Sequence, residues 1–144
     1  MLRLETTVDI KASSERVWSV LMDFHRYPAW NPFIRSLEGE PRVGAVLNAF
    51  LQPPGSYGMR FRPSVVTLVP EHEFRWRGTL LFPRFFQGEH FFLLESVSPQ
   101  SMRLVHGEIF TGLLVPLLRR QLEGPTLRGF HAMNEALKKE SEQS

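Results

Sequence analysis

The sequence predicts an α+β fold with an antiparallel sheet and a long C-terminal helix. Three observations favour it: a first strand leads into a short amphipathic segment, six strand-like runs fill the middle, and the last third carries one apolar stripe. Strands grouped together with helices at the ends are typical of antiparallel α+β proteins. A length of 144 residues suits one domain, so we expect positions 1–144 to form a single domain.

The chain opens with a predicted strand at Leu2–Lys11, where apolar and polar residues alternate. A helix should follow, with Ser13 as its N-cap and Glu15 in its first turn. Its apolar face would consist of Val17, Trp18, Leu21 and Phe24. Because a residue that precedes proline avoids the α region, this helix is expected to end before Tyr27.

The middle of the chain contains six strand-like runs separated by turn residues such as PRVG, PPGSYG, PEH and SPQ. In the third run Phe61 has the opposite parity to Val66 and Leu68, which would be reconciled by a bulge near Pro63. The predicted strands are Ile34–Glu40, Ala45–Gln52, Met59–Val69, Glu73–Gly78, Glu89–Val97 and Met102–Phe110.

The last third predicts one long helix, which Pro116 would open. Pro125 cannot donate a hydrogen bond to the carbonyl of Gln121, so a kink at Gly124-Pro125 is expected rather than two separate helices. The apolar stripe of this helix consists of Leu118, Leu122, Phe130, Met133 and Leu137.

Composition excludes several classes of function. The chain has no cysteine, which rules out a disulfide framework and a cysteine nucleophile, and a reducing cytoplasm is the expected location. The basic residues are scattered rather than clustered, which speaks against nucleic-acid binding. Charges within MLRLETTVDI speak against a signal peptide, and no apolar run is long enough to span a bilayer. Phosphate-binding, serine-hydrolase and zinc-protease motifs are absent from the sequence, and we expect no cofactor and no metal.

Four segments in this order resemble the START-like superfamily, also called SRPBCC or helix-grip, in its polyketide cyclase/dehydrase and lipid-transport branch. They are SSERVWSVLMDFHRYPAWNPF, FRWRG, GEHFFLLE followed by MRLVHGEIFTGLL, and GFHAMNEALK. The resemblance implies the helix-grip fold: a curved, seven-stranded antiparallel sheet wrapped around the long C-terminal helix, two short helices after the first strand, and a cavity between sheet and C-terminal helix. It does not imply a reaction, because members of this superfamily range from carriers to enzymes.

The segment YPAWNPF, residues 27–33, combines bulky side chains with two prolines. A sheet that curves around one helix has an open end, and this segment is predicted to plug it. Trp30 and Phe33 would then face the cavity. The alternative, given equal weight, is that both simply cap the core.

Strand parity predicts the polar groups of the cavity wall. A hairpin around Ser98–Gln100 places His90 opposite Glu108 and Phe92 opposite His106, about 5 Å apart at Cβ. The inward faces of the two strands carry His90, Phe92 and Leu94, and Leu104, His106, Glu108 and Phe110. A structural pair, ligand orientation and acid–base catalysis are all open interpretations of His90, His106 and Glu108, in decreasing order of preference. A metal site of two histidines and one carboxylate is disfavoured.

The segment 79–88, TLLFPRFFQG, is unusually apolar for a connection. Phe82, Phe85 and Phe86 are predicted to form a lid or an interface, such as a homodimer contact or a transient membrane contact. The alternative is a strand extension that packs on the core.

A carrier or sensor for a small hydrophobic or amphipathic molecule is the preferred function, since such sites are concave and mainly apolar. Two alternatives stay open: an aromatase/cyclase-type enzyme that moves protons with His106 and Glu108, and an interaction protein that uses segment 79–88. The predicted ligand-binding residues are Trp30, Phe33, Trp76, His90, Phe92, Leu94, Leu104, His106, Glu108, Phe110, Leu118 and Leu122.

Overall fold

A computed structural model describes residues 1–143 and shows an α+β fold with two antiparallel sheets. The larger, curved sheet has the strand order β1-β8-β7-β6-β5, and the smaller has the order β2-β3-β4. The strands are β1 Leu2–Ile10, β2 Ile34–Glu38, β3 Asn48–Leu51, β4 Met59–Phe61, β5 Ser64–Val69, β6 Glu73–Leu80, β7 Phe86–Ser98 and β8 Ser101–Thr111. The helices are α1 Ser14–Met22, α2 Tyr27–Trp30, α3 Val115–Gln121 and α4 Leu127–Glu142.

The predicted fold class, α+β with a long C-terminal helix, is confirmed, but the single sheet of seven strands is wrong. The run Met59–Val69 is divided into β4 and β5, which pair with different neighbours. Pro63 lies at the division, where its missing N–H cannot continue a ladder. The irregularity expected near Pro63 occurs in β5 itself, between Val65 and Thr67. The N–H of Leu47, just before β3, donates a hydrogen bond of 2.8 Å to the carbonyl of Pro63, just before β5, and so connects the two sheets.

Helix α1 begins as predicted, because the Ser13 side chain accepts a hydrogen bond from the backbone N–H of Arg16. The segment that follows is more regular than predicted. Residues 24–26 form a 3₁₀ turn, and α2 is a single α-helical turn. Pro28 lies at the start of α2, where a backbone N–H would have no partner within the helix, so its missing N–H costs nothing. The buried Tyr27 hydroxyl donates to the carbonyl of Leu21. Asn31 then accepts from the backbone N–H groups of Phe33 and Ile34, which fixes the direction in which Phe33 enters the core.

The C-terminal helix is continuous from Val115 to Glu142, as predicted, but it is not regular. Residues 122–126 form one π-helical turn around Gly124-Pro125, in which the N–H of Leu127 donates to the carbonyl of Leu122. The extra residue in this turn lets the helix continue although Pro125 has no N–H to donate. No helix in residues 1–143 combines the length and apolar character needed to cross a bilayer.

The β7–β8 hairpin has the predicted register. His90 pairs with Glu108 and Phe92 pairs with His106. Only the turn differs, since Ser98 pairs with Ser101 and Val97 is left over in a bulge. The bulge lies beyond the core, so the inward face of both strands is preserved.

Half of the apolar segment 79–88 is strand, which favours the alternative of a strand extension over a ten-residue lid. Strand β6 runs to Leu80 and β7 starts at Phe86, so only residues 81–85 connect them. Phe86 is buried and stacks on Phe110, with ring centroids 5.6 Å apart. Phe82 is 48% exposed and packs on Phe85 at 4.2 Å.

These positions predict opposite effects for two serine substitutions. Phe86→Ser removes a buried ring and is expected to lower the free energy of unfolding by about 3 kcal/mol or more. Phe82→Ser removes an exposed ring and should change it by less than about 1 kcal/mol. Urea denaturation of both variants measures the difference, and equal losses would contradict the placement of Phe82 at the surface.

Candidate functional site

An apolar cavity of about 240 Å³ lies between the inner faces of both sheets and the π-helical turn of the C-terminal helix. Its wall is formed mainly by aromatic, aliphatic and proline side chains. Glu108 is the only carboxylate among the described residues that line it, and Tyr57 at the rim is the only other titratable side chain. The site therefore consists of a mainly apolar surface that carries one carboxyl group, with the side chains of Thr79, Gln121 and Thr126 as further polar groups.

Six of the predicted ligand-binding residues line this cavity. These are Phe33, Trp76, Glu108, Phe110, Leu118 and Leu122, and Phe86 from the predicted lid joins them as part of the wall. They come from the plug segment, the larger sheet and the C-terminal helix, which shows that these three parts surround one space.

The other six do not line this cavity, and a role for them in ligand binding stays a prediction. Trp30 packs on Tyr27, at 5.3 Å between ring centroids, beside a separate polar groove with Arg26 and Glu140. The remaining five have the predicted inward parity but lie deeper in the core, where Phe130 of α4 packs on His90 and His106. They are His90, Phe92, Leu94, Leu104 and His106.

Sequence reasoning missed the wall contributed by the smaller sheet. Ala49 and Leu51 of β3 and Met59 and Phe61 of β4 line the cavity. The signal was weak, because these strands have four and three residues, too few for alternation to show which face is buried.

A chain of hydrogen bonds runs from the cavity wall into the core. Glu108 Oε1 lies 3.1 Å from His90 Nδ1, and His90 Nε2 lies 2.7 Å from His106 Nε2. His106 Nδ1 lies 2.8 Å from Asn134 Oδ1. Asn134 Nδ2 donates to Thr6 Oγ1, which donates to the main-chain carbonyl of His106. We call these five side chains the polar chain; Thr6, His90, His106 and Asn134 are all buried.

The inner end of the polar chain fixes the direction of the bonds among Thr6, Asn134 and His106. A carbonyl oxygen only accepts, so the one hydroxyl proton of Thr6 is used there, and Thr6 must accept from the amide nitrogen of Asn134. The amide oxygen of Asn134 therefore faces His106, whose Nδ1 carries a proton and donates to it. In a neutral imidazole the other nitrogen is then a bare acceptor.

The same reasoning continues outward to Glu108. If His106 is neutral, its Nε2 accepts and His90 Nε2 must donate. If His90 is neutral as well, its Nδ1 accepts, and the atom that donates to it is Oε1 of a protonated Glu108. The polar chain is thus satisfied when both histidines are neutral and Glu108 is a neutral carboxylic acid.

The electrostatics of the core favour the same charge state. Burial lowers the pKa of His90 to about 3. Burial, and then the neighbouring His90, lower the pKa of His106 well below its usual range, although its bond to Asn134 acts in the opposite direction. Burial raises the pKa of Glu108 to about 8, since no cation compensates for its desolvation.

A glycine makes room for the Glu108 carboxyl group. Gly88 lies on β7 beside Oε2, and a Cβ at this position would overlap that oxygen. The Glu108 side chain is 15% exposed, and its exposure is toward the cavity. Oε1 is held by His90, while Oε2 has no hydrogen-bond partner among residues 1–143 and is available to a ligand.

The raised pKa of Glu108 predicts how stability depends on pH. The carboxyl has a pKa near 4.5 in the unfolded chain and about 8 in the folded one, so folding takes up a proton between these values. The contribution of the protonated Glu108 to the free energy of unfolding is complete below pH 4.5. It falls by about 1.4 kcal/mol per pH unit as the pH rises to 8. Glutamine does not titrate, so the free energy of unfolding of Glu108→Gln should rise relative to the wild type across this window. Urea denaturation between pH 5 and 9 measures the difference, and parallel curves would show that the pKa of Glu108 is not raised.

The description of the family whose model matches residues 1–142 is polyketide cyclase / dehydrase and lipid transport. The chain belongs to this family. The match covers nearly the whole sequence, and it confirms the superfamily and branch that the four sequence segments indicated. No curated protein matches the sequence.

Solved structures of the same fold include enzymes and a START protein. The Zhui aromatase/cyclase from a Streptomyces species is 21% identical, with a TM-score of 0.77 over 99% of this chain and 94% of that one. A START superfamily protein from Mycobacterium smegmatis is 24% identical, with a TM-score of 0.75 over 98% and 97%. Norcoclaurine synthase from Thalictrum flavum is 15% identical, with a TM-score of 0.73 over 99% and 87%. At these identities the likeness concerns the fold.

The described residues limit what the site can do chemically. No group of three histidine, aspartate or glutamate side chains in residues 1–143 has the arrangement of a metal site. In the polar chain the ring nitrogens that would face a metal are used in hydrogen bonds to each other and to Glu108. The arrangement is suited to apolar binding, to one directed hydrogen bond and to proton movement along the chain.

Proposed function

We propose that this protein binds one small, mainly apolar molecule in the cavity and orients it through Glu108. The observation that carries the proposal is the unpartnered oxygen Oε2 of Glu108, the only carboxylate among the described residues of a mainly apolar wall. Binding sites for small molecules typically combine apolar walls with a few placed polar groups. The family, whose description includes lipid transport, supports a small hydrophobic ligand.

The size of the cavity limits the size of the ligand. An apolar cavity of about 150 Å³ holds benzene, and sites for drug-sized ligands measure about 300–1,000 Å³. A volume of about 240 Å³ lies between these and suits a molecule with one or two fused rings or a short branched chain. A longer ligand would extend out of the mouth, past the exposed Tyr57 and Met59 at the rim.

A test of the proposal uses a probe with no polar group. The protein is titrated with 2-methylnaphthalene by isothermal calorimetry, and native mass spectrometry of the purified protein is used to search for a molecule that was bound during expression. We expect one probe molecule to bind per protein chain. A molecule retained from expression would compete with the probe and lower its apparent affinity. Absence of binding by a ligand-free preparation, both of this probe and of its polar analogues 2-naphthol and 2-methoxynaphthalene, would contradict the proposed function.

Proton transfer to or from a bound molecule is a second candidate function, and the polar chain is the observation that favours it. Glu108 contacts His90, and His90 contacts His106, so a proton can move from the cavity wall to a buried imidazole in two short steps. Incubation with aromatic polyketides and fatty acids, followed by mass analysis, tests this candidate. A product that forms with the wild type and not with Glu108→Gln would favour the enzyme over the carrier.

The third alternative, an interaction surface on segment 79–88, is now confined to the exposed part of the connection, Leu81 and Phe82. A homodimer contact or a transient membrane contact through these two residues stays a prediction, as does the cytoplasmic location. Phe86, the third phenylalanine of this segment, is buried and lines the cavity, so the cavity carries the functional proposal.

A further inference from the structure

We infer that the ligand presents an uncharged hydrogen-bond donor, such as a phenol or enol hydroxyl, to Oε2 of Glu108. This inference deepens the proposed function and rests on it, because it names the chemical class of molecule that the cavity takes. The argument depends on the direction of the polar chain, since that direction decides which Glu108 oxygen carries the proton.

A protonated carboxyl group has one proton, and the polar chain uses it. His90 Nδ1 needs a donor at 3.1 Å, and Glu108 Oε1 is the atom placed there. The proton is therefore on Oε1, and Oε2 is the carbonyl-like oxygen of the acid. Because Oε2 lies at the cavity wall and only accepts hydrogen bonds, the complementary ligand atom is a donor.

The charges around Glu108 indicate that this donor is uncharged. Strand β7 contributes His90 and β8 contributes His106, and both are neutral in the polar chain. His131 on α4 further lowers the pKa of His106. Tyr57 is the only other titratable residue among the described lining residues, and no lysine or arginine lines the cavity in this part of the chain. An anionic head group would have no cation to pair with. An ammonium group would pair with Glu108 only if the carboxyl gave up the proton that it donates to His90.

The reversed polar chain would have a different cost. With an ionised Glu108 accepting from His90 and neutral histidines throughout, His106 Nδ1 would have to accept from the amide nitrogen of Asn134. The amide oxygen of Asn134 would then face Thr6, and the Thr6 hydroxyl would have to donate its proton to that oxygen. The hydrogen bond from Thr6 to the main-chain carbonyl of His106 would be lost. Among the arrangements with neutral histidines, the assigned one satisfies all of these groups and is preferred on hydrogen bonding, while burial disfavours an imidazolium form of His90.

Glutamine at position 108 distinguishes the two directions. If His90 Nδ1 accepts, the amide nitrogen of Glu108→Gln donates to it, and the amide oxygen takes the place of Oε2 as an acceptor. If His90 Nδ1 donates, the amide turns round and its nitrogen faces the cavity as a donor. The variant therefore keeps the ligand preference in the first case and inverts it in the second.

The experiment compares 2-naphthol, which donates, with 2-methoxynaphthalene, which accepts only, by calorimetry at pH 6.5. We expect wild type and Glu108→Gln to bind 2-naphthol about three- to tenfold more tightly, as one neutral hydrogen bond implies. Glu108→Leu, which has no acceptor, should bind both equally. If Glu108→Leu does not fold, the wild-type ratio and the glutamine variant decide the matter.

Three outcomes would overturn the inference. They are equal binding of both probes by the wild type, preference for 2-methoxynaphthalene by the wild type, and an inverted preference in Glu108→Gln. If 2-methylnaphthalene still binds in these cases, the proposed function stands and only the donor assignment fails. If none of the three naphthalenes binds, the proposed function fails and the inference fails with it.

Discussion

Asn134→Leu is expected to lower the free energy of unfolding by about 2–5 kcal/mol, although leucine has nearly the same shape. The substitution removes the acceptor of the His106 Nδ1 proton and the donor to Thr6 Oγ1, and both groups are buried. A buried polar group that loses its partner costs about 1–3 kcal/mol. Urea denaturation near pH 6.5 measures the loss.

Glu135→Leu is the matched control, because it introduces the same side chain at the next position of α4, where the residue is exposed. It should change stability by less than about 0.5 kcal/mol. If Asn134→Leu were as stable as this control, the polar chain would not be a closed set of satisfied groups, and the direction assigned to it would lose its basis.

Leu118→Trp is expected to weaken binding of 2-methylnaphthalene by more than tenfold. Leu118 is half-buried on α3 and lines the cavity, so the larger indole ring would occupy the space that the probe needs. The ring can be accommodated in the cavity without displacing packed atoms, and thermal stability should therefore be retained or slightly increased. Calorimetry gives the affinity and a thermal melt gives the stability.

The neighbouring Leu117 supplies a control with the same mutation. It is 80% exposed and does not line the cavity. Leu117→Trp should bind the probe as the wild type does. Equal loss of binding in both variants, or unchanged binding in Leu118→Trp, would place the ligand elsewhere than in this cavity.

The sequence was sufficient where one long element carries the information. The β7–β8 hairpin has 13 and 11 residues, so its parity was clear and it placed His90 opposite Glu108 correctly. The helix through Gly124-Pro125 was also predictable as continuous, since the apolar stripe keeps its phase on both sides. Its π-helical turn was not, because several local geometries can accommodate one missing N–H.

The cavity itself was only half predictable. Parity says which face of a strand is inward, but it does not say how far along the strand the packing of α4 ends and open space begins. His90 and His106 thus share a face with Glu108 and Phe110, yet Phe130 covers the histidines and leaves Glu108 on the cavity wall. Asn134 and Thr6, which give the polar chain its direction, come from elements distant in sequence. Asn134 lies in the segment GFHAMNEALK, but the sequence of that segment does not indicate which groups it hydrogen-bonds.

The direction and charge of the polar chain constitute the central claim, and ¹⁵N spectra of the histidine rings test it most directly. In wild-type protein at pH 7 we expect both His90 and His106 to be neutral, His90 protonated on Nε2 and His106 on Nδ1. Glu108→Gln should give the same pattern, because its amide N–H replaces the carboxyl proton as the donor to His90. A proton on His90 Nδ1, or an imidazolium form of either ring, would contradict the claim.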